Sequence, residues 1–252
     1  MTAPLHFFIT PVLATDFIAI FGKSHLFSGK LFVIVLCIAS VYCWSVMVAK
    51  GRELKSALNG SRKFKDLYRQ DEAKPLGLFL RRMTAPDCPL KTIYMGACME
   101  IAQELESNGE DASRMLGAER EHSRVRLNPY QLTAIRNAAE RAIADEALKL
   151  EERMGWLATA ANTAPLLGLL GTIWGVMDTF AAMGEQGNAS IAAVAPGISS
   201  ALMTTFFALI VAIPSAVGYN ALTSRVHTIA VQMDNFADEV MSDIQRAFMR
   251  EQ

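Results

Sequence analysis

Three uninterrupted charge-free runs organise the chain: Leu31 to Ala49, Met154 to Met177, and the long stretch from Gln186 to Ser224. A helix needs about 20 apolar residues to cross ~30 Å of hydrocarbon, and each run is long enough or nearly so. The first run alone would also suit a buried helix of a water-soluble domain. The other two would not. A soluble core helix rarely lacks charge for two dozen residues, whereas each Asp, Lys or Arg at mid-bilayer costs about 2.5 to 3.5 kcal/mol. The pattern predicts an all-α integral membrane protein with three transmembrane helices. Its expected segments are an N-terminal stretch over 1–30, spans over 31–49, 154–183 and 196–224, a polar helical region over 50–153, a short link over 184–195 and a C-terminal helix over 225–252.

Outside the spans the apolar positions recur at helical spacing. In the run from Pro129 to Leu150, Leu132, Ile135, Ala139, Ala142, Ile143 and Leu150 share one face, and Arg136, Glu140, Arg141, Asp145 and Glu146 the other. No Gly or Pro follows until Gly155, which predicts a helix running unbroken into the second span. Gly51 to Leu58 likewise continues the first span. Pro75, Pro86 and Pro89 divide the middle of the polar region into shorter pieces. Beyond the third span, Ile229, Met233, Phe236, Val240, Ile244 and Phe248 form an apolar stripe that should pack on the other polar-region helices. The N-terminal residues Phe7, Phe8, Ile9, Val12, Leu13, Phe17, Ile18 and Phe21 fit two readings equally, a helix lying in the membrane interface or an apolar lead-in to the first span. No Lys or Arg precedes them, so the segment reads as retained rather than as a cleaved signal.

Charge gives the orientation. Two Lys precede the first span, 19 Lys and Arg lie from Lys50 to Arg153, and three follow the third span. Positive residues mark the cytoplasmic side. The polar region and the tail are therefore expected in the cytoplasm, and the N-terminus and the Gly184–Pro196 link outside, as suits a bacterial inner-membrane protein. A net charge of -1 without a basic, aromatic-laced stripe argues against nucleic acid. The mixed-sign run from Glu119 to Arg126 reads as a solvated helix face. Cys37, Cys43, Cys88 and Cys98 read as free thiols, and no histidines share a metal-ligand spacing. There is no nucleophile and base set and no phosphate loop, so neither an enzyme nor a cofactor is expected.

The remaining candidates are polar residues inside the spans, which lipid makes costly and which tend to face a bundle interior or a pore. At about 100° per residue, Asn162, Pro165, Leu169, Thr172, Val176 and Thr179 lie on one side of span two. That stripe fits a pore wall, and fits equally hydroxyls that only bond the carbonyl a turn back. Gly168, Gly171 and Gly175 suit close helix packing. Span three carries Ser199, Ser200, Thr204, Thr205 and Ser215, with Pro196 near its start and Pro214 inside it. Pro214 removes a backbone donor, which favours an interior reached by water or a partner.

The segments Asn162-Thr-Ala-Pro-Leu-Leu-Gly-Leu-Leu-Gly-Thr-Ile-Trp-Gly-Val-Met-Asp178 and Val194-Ala-Pro-Gly-Ile-Ser-Ser-Ala-Leu-Met-Thr-Thr205, continuing through Ala-Ile-Pro214 to Tyr219-Asn220, resemble the MotA/TolQ/ExbB proton channel family. The likeness is close over about 155 to 225 and elsewhere rests on order and topology. It implies a ring, a homopentamer whose second and third spans line a pore around a single-span ExbD- or TolR-like partner. A membrane-embedded Asp on that partner carries the proton. Such a motor acts, through a TonB- or TolA-like protein, on TonB- or Tol-Pal-type envelope processes. The lead-in from Thr15 to Phe21 leans toward the TolQ branch. Position by position, the resemblance implies that Thr172 and Thr205 are pore threonines. At Ser200 the chain departs from the family's usual Glu, and Asp178 is the acid that adjoins the motifs, as a pore-mouth charge or simply a helix-end residue. The alternative is a non-conducting oligomeric scaffold that recruits cytoplasmic proteins, with the intramembrane hydroxyls serving packing alone.

Overall fold

The computed structural model describes residues 27–71, 75–80, 87–107, 127–186 and 190–248. The expectations for the N-terminal stretch, the Glu119–Arg126 run, Pro86 and the tip of the 184–195 link fall outside them. Every regular element among the described residues is an α-helix: α1 Phe27–Gln70, α2 Gly77–Leu80, α3 Pro89–Ser107, α4 Pro129–Glu151, α5 Met154–Gln186 and α6 Ile191–Phe248. Three of these are long and apolar enough to cross a membrane, with mean hydropathy over the best window of 2.5 in α1, 1.5 in α5 and 2.0 in α6. At 1.5 Å per residue the 44 residues of α1 and 58 of α6 reach about 66 and 87 Å, so each extends well past a ~30 Å hydrocarbon core. The apolar stripe of the tail is part of the same helix as the third apolar run.

Local chemistry sets the helix ends. At the start of α4, Asn128 Oδ1 accepts from the Tyr130 amide, the Gln131 side chain accepts from the Asn128 amide at 2.8 Å, and Pro129 occupies the first turn. Ser190 caps α6, its hydroxyl accepting from the Ala193 amide at 3.3 Å. The expected unbroken passage from α4 into α5 does not occur. Glu152 adopts φ -51° and ψ 137°, and Arg153 follows at φ 68°, the sense of a type II turn. A positive φ is uncommon outside Gly, Asn and Asp. No Gly or Pro marked this turn, so composition gave it no signal.

The described residues divide into two compact units. In the first, formed from residues up to Val48 and from Arg153 to Asn220, a small-residue core joins Leu36 of α1, Ala164 of α5 and Ala208, Val211 and Ala212 of α6. Gly218 lies against the Met47 side chain, and Tyr42 meets Trp156 edge to face at 5.9 Å. Its outward surface is apolar, with Ile38, Leu166 and Val217 all exposed, the inverse of a water-soluble bundle and what lipid or neighbouring subunits require.

The second unit, Ala49–Glu152 with Ala221–Gln252, is built as a water-soluble bundle. Its core is an aromatic knot of Phe64 and Tyr68 from α1, Tyr94 from α3 and Phe236 from α6, with ring centroids 5.3 to 5.9 Å apart. Ile229, Met233, Val240 and Ile244 complete the buried stripe of α6. Each buried phenol has a partner. Tyr68 donates to Asp243 Oδ2 at 2.9 Å and Tyr94 donates to the Pro75 carbonyl at 2.8 Å. Nearby, Arg69 grips Glu239 through Nε and Nη2 at 2.9 and 3.1 Å. Lys50 is buried, its ammonium donating to Glu53 at 2.9 Å and to the Lys149 carbonyl at 3.1 Å. That places a cation on the C-terminal turn of α4, where the helix dipole favours it.

Burial raises the Tyr68 phenol, helped by its hydrogen bond to Asp243, and burial likewise raises Tyr94. Burial pushes the Cys98 thiol up to about 12. Groups whose ionisation folding opposes contribute stability below their ordinary pKa values, and that contribution is lost as pH rises. The second unit should therefore begin to lose stability above about pH 8.5, the ordinary thiol value, and lose it more steeply above about pH 10, the ordinary tyrosine value. Tyr68→Phe should cost about 1.5 to 3 kcal/mol at neutral pH, the worth of a hydrogen bond to a charged acceptor, and should flatten the alkaline decline. Denaturant unfolding of the two forms between pH 7 and 11 measures both effects.

Candidate functional site: the seam between α5 and α6

The two long helices meet along a seam of small residues. On α5 these are Ala164, Gly168, Gly171, Gly175 and Thr179, spaced four, three, four and four. On α6 they are Gly197, Ala201, Thr204, Ala208 and Ala212, also spaced four, three, four and four along the chain, and they meet the α5 set in reverse order. The spacing places each set on one helical face, and the helices run antiparallel. A methyl added at Gly168 would lie 2.5 Å from the Ala208 Cβ and 3.0 Å from the Thr205 Cα; one at Gly175 would lie 2.7 Å from the Ala201 Cβ. These neighbours are backbone or Cβ atoms with no freedom to swing aside. The glycines are what permits this approach, which packs both backbones together where lipid offers no hydrophobic drive for association.

At the middle of the seam three hydroxyls converge on one carbonyl. Thr172 donates to the Gly168 oxygen at 2.8 Å, Thr205 reaches the same oxygen at 3.1 Å, and Thr204 at 3.3 Å. Thr172 Oγ1 and Thr205 Oγ1 are themselves in contact. Thr204 also donates to Ala201 O at 2.7 Å. Thr172 and Thr205 are half-buried in a single chain and Thr204 is buried. The cluster holds donors and acceptors but no charge, so it can pass or meet a proton without itself titrating near neutral pH.

The structure thus brings together Thr172 and Thr205 among the sequence candidates, with Gly168, Gly171 and Gly175 as the ground on which they meet. Asn162 and Asp178 are exposed on α5, and Ser200 is half-buried on α6, one turn before Thr204. Thr179, grouped with the polar stripe by periodicity, is buried in the seam, donating to the Gly175 carbonyl at 2.6 Å and packing on Gly197. Pro196 is exposed in the early turns of α6; Pro214 lies within the helix, where Ser215 donates to the Val211 carbonyl at 2.7 Å. Gly197, Ala201 and Ala208 were not singled out by sequence, and Thr204 was named only as one of the polar residues of span three. Their four-three-four spacing, read against the glycines of α5 in reverse, was the available signal.

Three long apolar helices, two of them joined through glycine contacts with a buried hydroxyl cluster between, define a polytopic membrane protein with a polar intramembrane seam. The model of the MotA/TolQ/ExbB proton channel family matches residues 111–235. The chain is 30% identical over 243 residues to the Tol-Pal system protein TolQ of Haemophilus influenzae, covering 92% of this chain and 94% of that protein. It is 28% identical over 227 residues to TolQ of Pseudomonas aeruginosa, covering 86% and 87%. It is 30% identical over 207 residues to the biopolymer transport protein ExbB of Neisseria meningitidis serogroup A, covering 82% and 87%. The chain belongs to the MotA/TolQ/ExbB proton channel family.

The seam makes a graded prediction. Gly168→Ala should destabilise by about 1 to 3 kcal/mol through overpacking, and Gly171→Leu, whose side chain would enter the space of Thr204, should abolish a stable hairpin. Gly184→Ala, with open space around it, should be neutral. Thermal unfolding of the three variants in detergent distinguishes these outcomes, and equal melting temperatures would contradict the packing described.

Proposed function

We propose that this chain is the multi-spanning wall subunit of an inner-membrane motor driven by the proton motive force, oriented with its N-terminus outside and its C-terminus in the cytoplasm. The observation that carries the reading is the meeting of Thr172 and Thr205 over the Gly168 carbonyl inside the α5–α6 seam. These two threonines are the ones that the family motifs mark, and the fold juxtaposes them across 33 residues of sequence.

The residues at this depth also bear on where the proton-binding acid resides. Residues 154–177 and 186–224 contain no charge, and the first apolar run, 31–49, contains none either. Asp178 is exposed on α5, one helical turn or more beyond Thr172. In this reading the acid that titrates at the level of the hydroxyls belongs to a second protein, a single-span ExbD- or TolR-like partner held inside a ring of five copies of this chain. The processes energised, in this reading, are Tol-Pal function or TonB-type transport, in keeping with relatives named Tol-Pal system protein TolQ and biopolymer transport protein ExbB. The outward apolar faces of α5 and α6, with Leu166, Leu170, Ile173, Phe206 and Ile213 exposed in one chain, would then be covered by neighbouring subunits and lipid.

Native mass measurement of the complex in mild detergent should give five copies of this chain with its partner; a monomer would count against the motor. Thr172→Val and Thr205→Val should leave the ring intact and reduce proton-driven activity strongly, and unchanged activity in both would exclude the hydroxyl pair from the proton path. Ser200→Glu should lower the yield of the ring, because a carboxyl buried without a cation is driven toward its neutral form at a cost to assembly. Equal ring yield and activity would show that the position tolerates the family's usual acid.

A further inference from the structure

Thr204 forms the buried end of the hydroxyl cluster, 2% exposed, and Thr172 and Thr205 form its accessible end. The Thr204 hydroxyl has two carbonyls in reach, Ala201 O on its own helix at 2.7 Å and Gly168 O across the seam at 3.3 Å. It carries one proton and so donates to one of them at a time. The Gly168 carbonyl is oversubscribed in turn. Helix geometry already gives it the Thr172 amide, and three hydroxyls lie within reach of its two lone pairs.

These oxygens support two proton orderings without moving a heavy atom, since a hydroxyl proton rotates about its own C–O bond. In the first, Thr204 donates to Ala201 O, Thr172 donates to Gly168 O, and Thr205 donates to Thr172. Both protons of the pair are then turned inward, and the pair offers only lone pairs to a third group. In the second, Thr204 donates to Gly168 O and, with the Thr172 amide, fills that carbonyl. One threonine of the pair then donates to the other, whose own proton is free to point outward. No covalent bond changes in either ordering.

We propose that Thr204 is a positioning residue for the Thr172–Thr205 pair: by presenting its proton to the Gly168 carbonyl or withdrawing it, it sets whether the pair offers a donor or only acceptors to a group entering from the accessible side. The role rests on the reading of that pair as part of the proton path. A carboxylate needs a donor and a carboxylic acid needs an acceptor, so a pair that can present either meets both protonation states of an incoming acid. The seam keeps Thr204 in place. A methyl at Gly171 would lie 2.8 Å from Thr204 Oγ1 and 3.1 Å from its Cβ, so the Thr204 side chain fills the space over that glycine.

The test uses the complex as purified from its native membranes, reconstituted into liposomes loaded with a pH-sensitive dye and driven by an imposed proton gradient. Thr204→Val keeps the shape and removes the hydroxyl, and Thr204→Ser keeps the hydroxyl and removes the methyl. Thr204→Val should retain the wild-type mass, lose flux by about threefold to tenfold, the worth of one hydroxyl hydrogen bond, and shift the pH of half-maximal flux; Thr204→Ser should restore both. Should Thr204→Val lack the wild-type mass, Thr204→Ala, which adds no atom to the seam, carries the same expectation. Wild-type flux and pH profile in the hydroxyl-free variant, or a Ser variant as impaired as the Val variant, would overturn the proposal. Thr172→Val and Thr205→Val run in parallel. If they lose flux while Thr204→Val does not, the role of Thr204 alone fails; if they keep it, the proton path through the pair fails with it.

Discussion

The close approach of α5 and α6 is the constraint on which the rest of the first unit depends. Both helices are apolar and lie in a solvent that gives them no hydrophobic reason to associate, so contact has to come from fit. Glycine at 168, 171 and 175 removes the side chains that would hold the helices apart, and Ala201, Thr204 and Ala208 are small enough to occupy the space. Only at that separation can hydroxyls on α6 reach a backbone oxygen of α5. The hydroxyl cluster is thus a consequence of the packing, and a larger residue in the seam would dismantle the cluster before touching any member of it.

The two units solve opposite problems with the same helices. The first exposes Ile38, Leu166 and Val217 and buries Thr179, Thr204 and Ser215, whereas the second buries Phe64, Tyr68, Tyr94 and Phe236 and exposes most of its charge. In the second unit the two buried phenols are paired at ordinary distances, Tyr68 with Asp243 and Tyr94 with Pro75, which is what a low-dielectric core demands. Continuity of α1 and α6 means that each carries both codes in succession, an apolar surface followed by a one-sided stripe.

Much of this was legible in the sequence because lipid writes a strong signal. Charge-free runs located the apolar helices, and the period of Ile229, Met233, Phe236, Val240 and Ile244 marked the buried side of α6. The glycines announced close packing, but not its partner, since a small-xxx-small pattern fits a contact within a chain or between chains equally. Thr172 and Thr205 came from the family motifs; periodicity alone left them as either packing or pore residues. Two features were hidden. The turn at Glu152–Arg153 carries neither Gly nor Pro, so a non-glycine residue at φ 68° had no compositional mark. Thr204 looked like one hydroxyl among several, because its significance lies in the antiparallel register that sets it over Gly171 and beside the Gly168 carbonyl, a relation between helices that no single-helix periodicity contains.

The central claim is that Thr172 and Thr205 of one chain touch across the seam. Cysteines placed at both positions in a form lacking the four native cysteines report on it directly, because a disulfide forms only when Cβ atoms approach to about 3.5 to 4.5 Å. Mild oxidation in intact membranes, followed by mass analysis of the denatured chain, should give a disulfide within a single chain, with no cross-linked dimer. Failure to cross-link, or a ladder of chains joined through these cysteines, would contradict the seam.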